Sequence, residues 1–194
     1  MSGEAVQRTR TVARMTITDS TPSIASDRAA RLTAAGSAWG DRIAADTSAA
    51  HLTYRVNGSG EGSVASQITA GKHSFLVDEP AALAGDDLAA SPVEFALGAL
   101  VSCQIVVYRL YAQALGIQVD DISIASEGDL DARRLFGIDE SVRPGFSAVR
   151  LAVTLTGPET AERYDELRAA VDAHCPVLDL FANETPISVT VAKG

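Results

Sequence analysis

The chain holds only two cysteines, Cys103 and Cys175, and they are the residues best suited to do chemistry. Cys103 lies inside the apolar segment SPVEFALGALVSCQIVVYRLYAQALG (91–116), and Cys175 opens a second one, HCPVLDLF (174–181). One thiol in mid-helix and one at a helix start fit paired-thiol chemistry. They also fit two small core residues, since free Cys is among the most buried residue types. Pro176 suits the first helical position, which makes Cys175 the N-cap, facing the positive end of a helix dipole that stabilises thiolate. His174 beside it adds positive charge when protonated. Cys103 differs. Its same-face helical neighbours Ala96, Ala99, Leu100, Val106, Val107 and Leu110 carry no charge, so burial raises its pKa. A reactive Cys103 needs a base or a cation from elsewhere in the fold.

Other constellations are weaker. His51, His73 and His174 make no ligand pair with metal-site spacing among themselves or with the cysteines, so no metal is expected. GSGEG (58–62) joins two strands and opens no helix, which makes it a poor phosphate cradle. Ser91 has no nucleophile-elbow context. The sequence calls for no bound cofactor.

The elements that must position the thiols can be read from periodicity and punctuation. Residues 1–25 carry Thr, Ser and Arg without period and read as a loose arm. Residues 26–46 read as a helix with Ser26 or Asp27 as cap, against which Gly36 and Gly40 count. His51–Val56 alternates as a strand, Asn57–Gly60 reads as a turn, and further strands are expected near Ser63–Thr69 and over His73–Val77. The next helix has the clearest start in the chain, with Ser91 as N-cap, Pro92 first and Glu94 completing a capping box; Gly116 stops it. It is apolar around most of its circumference, so more than one partner must cover it. Strands are expected at Val119–Ser126 and Phe146–Thr156, and helices at Pro158–Ala173 and Cys175–Phe181. Ile187, Val189 and Val191 alternate as a last strand. Strands, long helix, strands, helices and strand make an α+β protein with mainly antiparallel sheet.

Composition narrows the functions. A net charge of −9 disfavours nucleic-acid binding and attachment to an anionic membrane surface. The longest charge-free run, Phe95 to Tyr108, falls short of the roughly 18 residues that span a bilayer. A cytoplasmic setting is expected, in which two thiols rest reduced.

The run SPVEFALGALVSCQIV resembles the first-cysteine motif of the OsmC/Ohr family, and CPVLDLFANETPISVTV resembles its second. LVDEP (76–80), EGDLD (127–131) and VRPGF (142–146) are similar to sequences between those motifs. The resemblance covers about residues 50–192, placing an OsmC-like domain over 50–194 and leaving 1–49 as an N-terminal extension. It implies an OsmC-like fold in an intertwined homodimer, with antiparallel sheets packed on two long central helices, one from each subunit. It also implies reduction of organic hydroperoxides, with Cys103 as peroxidatic and Cys175 as resolving thiol, and an external dithiol such as a lipoyl group as reductant. Peroxidase members place a Glu where this chain has Val93 and an Arg where it has Ser59, Gly60 and Glu61. Glu94 and Arg55 are the nearest substitutes, and Arg109, Arg134 and Arg143 are further candidate cations. The alternative is a non-peroxidase binding module that holds a small hydrophobic ligand in the dimer pocket.

Overall fold

The computed structural model describes residues 24–194. The arm expected over 1–25 lies outside the described residues except for Ile24 and Ala25, which are helical. The order is α1 (Ile24–Ala45), a 3-10 turn (Thr47–Ala50), β1 (Val56–Glu61), β2 (Ala65–Ala70), β3 (His73–Val77), a second 3-10 turn (Ala81–Leu83), α2 (Pro92–Leu115), β4 (Asp121–Leu130), β5 (Phe146–Thr156), α3 (Ala161–His174) and α4 (Pro176–Ala182). The strands form an antiparallel sheet in the order β1-β2-β3 and an antiparallel pair β4-β5. The class is α+β, as the sequence pattern indicates.

α2 is the element around which the rest is built. Ser91 caps it reciprocally: its Oγ accepts from the Glu94 N–H, while Glu94 Oε2 accepts from the Ser91 N–H at 2.8 Å and from its hydroxyl at 2.7 Å. The stop is at Gly116, whose φ of 63° is a left-handed conformation that glycine adopts at no steric cost. Near its start, Phe95 stacks on Phe75 of β3 with ring centroids 5.0 Å apart. Further along, Val107, Tyr108 and Ala112 pack with Ile117, Val119, Leu167, Val171 and Cys175 into one buried cluster. Ile122 and Ile124 of β4 and Val153 and Leu155 of β5 close it from the sheet side. Leu167 and Val171 are fully buried, each burial contributing about 1.5–3 kcal/mol. By length and composition α2 could cross a bilayer; here α3, α4 and β4 pack against one side of it.

Five sequence expectations need correction. Asn57–Gly60 is strand, not turn: β1 pairs with β2 from Val56↔Ala70 to Glu61↔Ala65, and the turn falls at residues 62–64. Gly62 there takes φ 56°, while at Gly58 a Cβ would lie 2.9 Å from Ile68 Cδ1, so glycine serves cross-strand packing. His51–Arg55 accordingly lies before the ladder rather than in a strand. Helix α1 starts before Ser26 and runs through Gly36 and Gly40; one face, through Arg28, Ala29 and Leu32, is part-buried, and Thr33 accepts a hydrogen bond from Gln113 of α2. β4 continues past Ser126 to Leu130, because Arg150 of β5 pairs with Glu127 and Asp129 across the ladder. Finally, residues 183–194 form neither helix nor strand, and Ile187, Val189 and Val191 are 82–94% exposed. Alternation identifies a strand-forming side but supplies no edge to pair with.

The cap on α2 gives a direct test. Ser91→Ala should lower stability by about 1 kcal/mol in urea unfolding at neutral pH, the usual cost of a lost N-cap. Hydrogen bonds from the Ser91 side chain and then its backbone hold the Glu94 carboxyl below its ordinary value. Its contribution is therefore complete above the unfolded Glu pKa of about 4.3 and disappears as pH falls through the lower folded value. The gap between wild type and variant should close in acid; a gap independent of pH would show that Glu94 takes no part in the cap.

Candidate functional site at the paired thiols

Cys103 is held by the middle of α2, and Cys175 by the one-residue joint between α3 and α4. The joint is sharp because Pro176 cannot continue α3 but suits the first position of α4. Packing of α2 against α3 and α4 brings Cys175 close enough to Cys103 to act on its ionisation. Both thiols are free; Cys175 is 3% exposed and Cys103 part-buried.

The start of α4 acts on the other thiol from the one the sequence assigns. Cys175 occupies the N-cap position, yet its side chain makes no capping hydrogen bond. The backbone N–H of Val177 instead acts on Cys103, where it favours thiolate. Burial outweighs it. The Cys103 thiol is pushed up, first by desolvation, and the neighbouring Cys175 adds to the rise. No arginine is among the groups that set it.

The other candidates lie elsewhere. Glu94 is taken up by the cap of α2. Arg55 is exposed in the segment before β1. Arg109 donates to the Val119 carbonyl at 2.7 Å, Arg134 pairs with Glu140 at 3.3 Å, and Arg143 lines a separate cleft beside Phe146 and Phe181.

Two further groups escaped the sequence reading. Val177 contributes only its backbone, which no residue type reveals. Gln104, next to Cys103, is 1% exposed, and its Nε2 has no partner among the described residues. The available signal was a lone amide inside a charge-free run. His174 Nδ1 lies 2.7 Å from the Ala170 carbonyl, so that nitrogen carries the hydrogen and Nε2 is the basic one at neutral charge. Its ring stacks on Tyr111 at 4.5 Å. His174, Cys175, Pro176, Asp179, Leu180 and Thr185 line an open cleft of about 520 Å³.

The OsmC-like protein family matches residues 85–190, from the loop before α2 into the C-terminal segment, and the chain belongs to that family. Its fold is similar to that of an OsmC-like protein from Mycoplasma pneumoniae, with TM-score 0.60 and 14% identity over 68% of this chain and 88% of that one. An organic hydroperoxide resistance protein from Legionella pneumophila gives TM-score 0.53 and 22% identity over 67% and 89%. One from Elizabethkingia anophelis gives 0.53 and 19% over 67% and 88%. At these identities the likeness is one of fold. A search of curated proteins finds no match.

The thiol contact is testable by titration. Cys175→Ala removes a neighbour that raises Cys103 while leaving most of the burial in place. The rate of iodoacetamide alkylation at Cys103, followed by mass spectrometry against pH, should turn on at lower pH in the variant than in the wild type. An unchanged or higher midpoint would rule out the contact.

Proposed function

We propose that this protein reduces organic hydroperoxides through a two-thiol cycle. The observation that carries the proposal is the contact between Cys103 and Cys175, with the Val177 N–H directed at the Cys103 sulfur. In the cycle the Cys103 thiolate attacks the outer oxygen of the hydroperoxide. The O–O bond breaks, the alkoxide leaves and takes a proton to become the alcohol, and Cys103 becomes a sulfenic acid. Cys175 then attacks that sulfur as its thiolate, and the departing hydroxide gains the released proton to form water. A disulfide remains, and an external dithiol reduces it. Apolar groups of the cleft at Cys175, such as Pro176 and Leu180, suit an organic tail better than hydrogen peroxide.

Purified protein with a dithiol should consume cumene hydroperoxide, and hydrogen peroxide more slowly. Cys103→Ser should abolish turnover. Cys175→Ser should leave a sulfenic acid on Cys103 that a dimedone-type reagent traps. A specific observation favours the second reading, a ligand-binding module: the Cys103 thiol is raised and no cation among the described residues offsets it. Absence of dithiol-dependent peroxide loss, with no dimedone adduct, would establish that reading and end the first.

The proposal includes a homodimer, the common state of this family. Val106 and Leu110, one turn apart, leave exposed apolar surface on α2, and every residue of β1 is exposed. A second copy would cover both and could bring an arginine to Cys103. Light scattering at micromolar concentration should give twice the chain mass; a compact monomer would refute the shared architecture.

A further inference from the structure

A second cleft lies away from the thiols, between α1 and the α2–β4 connection, and encloses about 290 Å³. Its α1 wall lies outside residues 85–190, so the family match does not account for it. Two part-buried arginines face it, Arg28 from α1 and Arg109 from α2. Neither forms an ion pair among the described residues. On the outer side of α1 the adjacent Asp27 is committed to Arg31, at 2.9 Å. Arg109 has one acceptor, the Val119 carbonyl, leaving its remaining N–H groups for another.

Bringing two guanidiniums together on a half-buried wall is unfavourable unless something negative joins them. The strain is visible at Arg109, whose pKa is lowered by burial and then by the charge of Arg28. Among the described residues, the acidic groups nearby do not resolve it. Asp120 lines the cleft with its Oδ1 accepting from Gln118 Nε2 at 2.9 Å, and Asp121 attracts Arg109 from β4 without reaching ion-pair distance. Apart from these groups and Gln113, the walls are aliphatic: Leu32 and Ala29 on one side, Ala112, Ile117 and Val119 on the other.

We infer that this cleft binds a small organic carboxylate, its carboxylate held between Arg28 and Arg109 and its short aliphatic tail against Leu32, Ala112 and Ile117. A planar carboxylate matches the guanidinium fork and can bridge two of them, which a neutral ligand cannot do. The volume lies near the lower end for ligand sites, suiting a chain of a few carbons. In a protein of net charge −9, long-range attraction does not deliver such an anion, so recognition rests on these two side chains. Binding would also pin α1 to α2, since the cleft takes a wall from each.

The test uses the full chain with hexanoate as probe, followed by calorimetry and by methyl NMR. Hexanoate should saturate the site and shift the methyl signals of Ala29, Leu32, Ala112 and Ile117. Hexanol, with the tail and no charge, and acetate, with the charge and almost no tail, should bind at least about tenfold more weakly. Arg28→Met keeps much of the aliphatic stem and removes the charge, and should weaken hexanoate by about tenfold or more without lowering the unfolding midpoint of the ligand-free protein. Equal hexanoate binding in wild type and variant would overturn the inference, as would no saturation by about 10 mM. Inorganic phosphate that competes as well as hexanoate would show a bare anion site and overturn the carboxylate assignment.

Discussion

Packing of one face of α2 against the α3–α4 corner is the constraint on which the structure depends. Val107, Tyr108 and Ala112 meet Leu167 and Val171 there, and Cys175 belongs to the same cluster. Interiors pack too densely for one helix to slide past another without exposing apolar area, so the contact fixes the register of α2 along α3. Fixing that register also fixes where Cys103 falls relative to Cys175. The thiol pair is thus a by-product of the core rather than a separately assembled site. Its loss would follow from any change that lets α2 rotate by a fraction of a turn.

The same burial that aligns the thiols works against ionising them. Desolvation disfavours thiolate at Cys103, and the local structure answers with one backbone N–H from the start of α4. That single donor leaves the thiol raised. A reactive Cys103 therefore calls for a positive group from beyond the core of the described residues, and in the proposed dimer a second copy would supply it from over the exposed surfaces of α2 and β1. Stability within one chain and reactivity at Cys103 make opposite demands on the same site, and a dimer would meet both.

α1 stands in a different physical position. It buries no residue completely, and its one part-buried face rests on the far end of α2. An isolated helix of this length with two internal glycines has little intrinsic stability. Its attachment through Arg28, Leu32 and Thr33 is correspondingly light. A ligand bridging the two arginines would tighten a contact that apolar burial leaves weak, which gives the cleft a structural role as well as a binding one.

What the sequence determined by itself was whatever depends on neighbours along the chain. The capping box at Ser91 and Glu94, the stop at Gly116, the Pro176 helix start and the alternation over Phe146–Thr156 involve residues within a few positions of each other. So does the absence of charge around Cys103, which foretold the direction of its pKa. Tertiary structure decided matters of pairing. The Asn57–Gly60 segment became strand because β2 offered a register that suits it, whereas the alternating Ile187, Val189 and Val191 stay unpaired and exposed. Likewise, the dipole of α4 was assigned to Cys175 by adjacency, whereas in three dimensions its Val177 N–H reaches Cys103. Hydrogen-bond donors act along directions in space, and periodicity carries no information about which distant residue stands in their path.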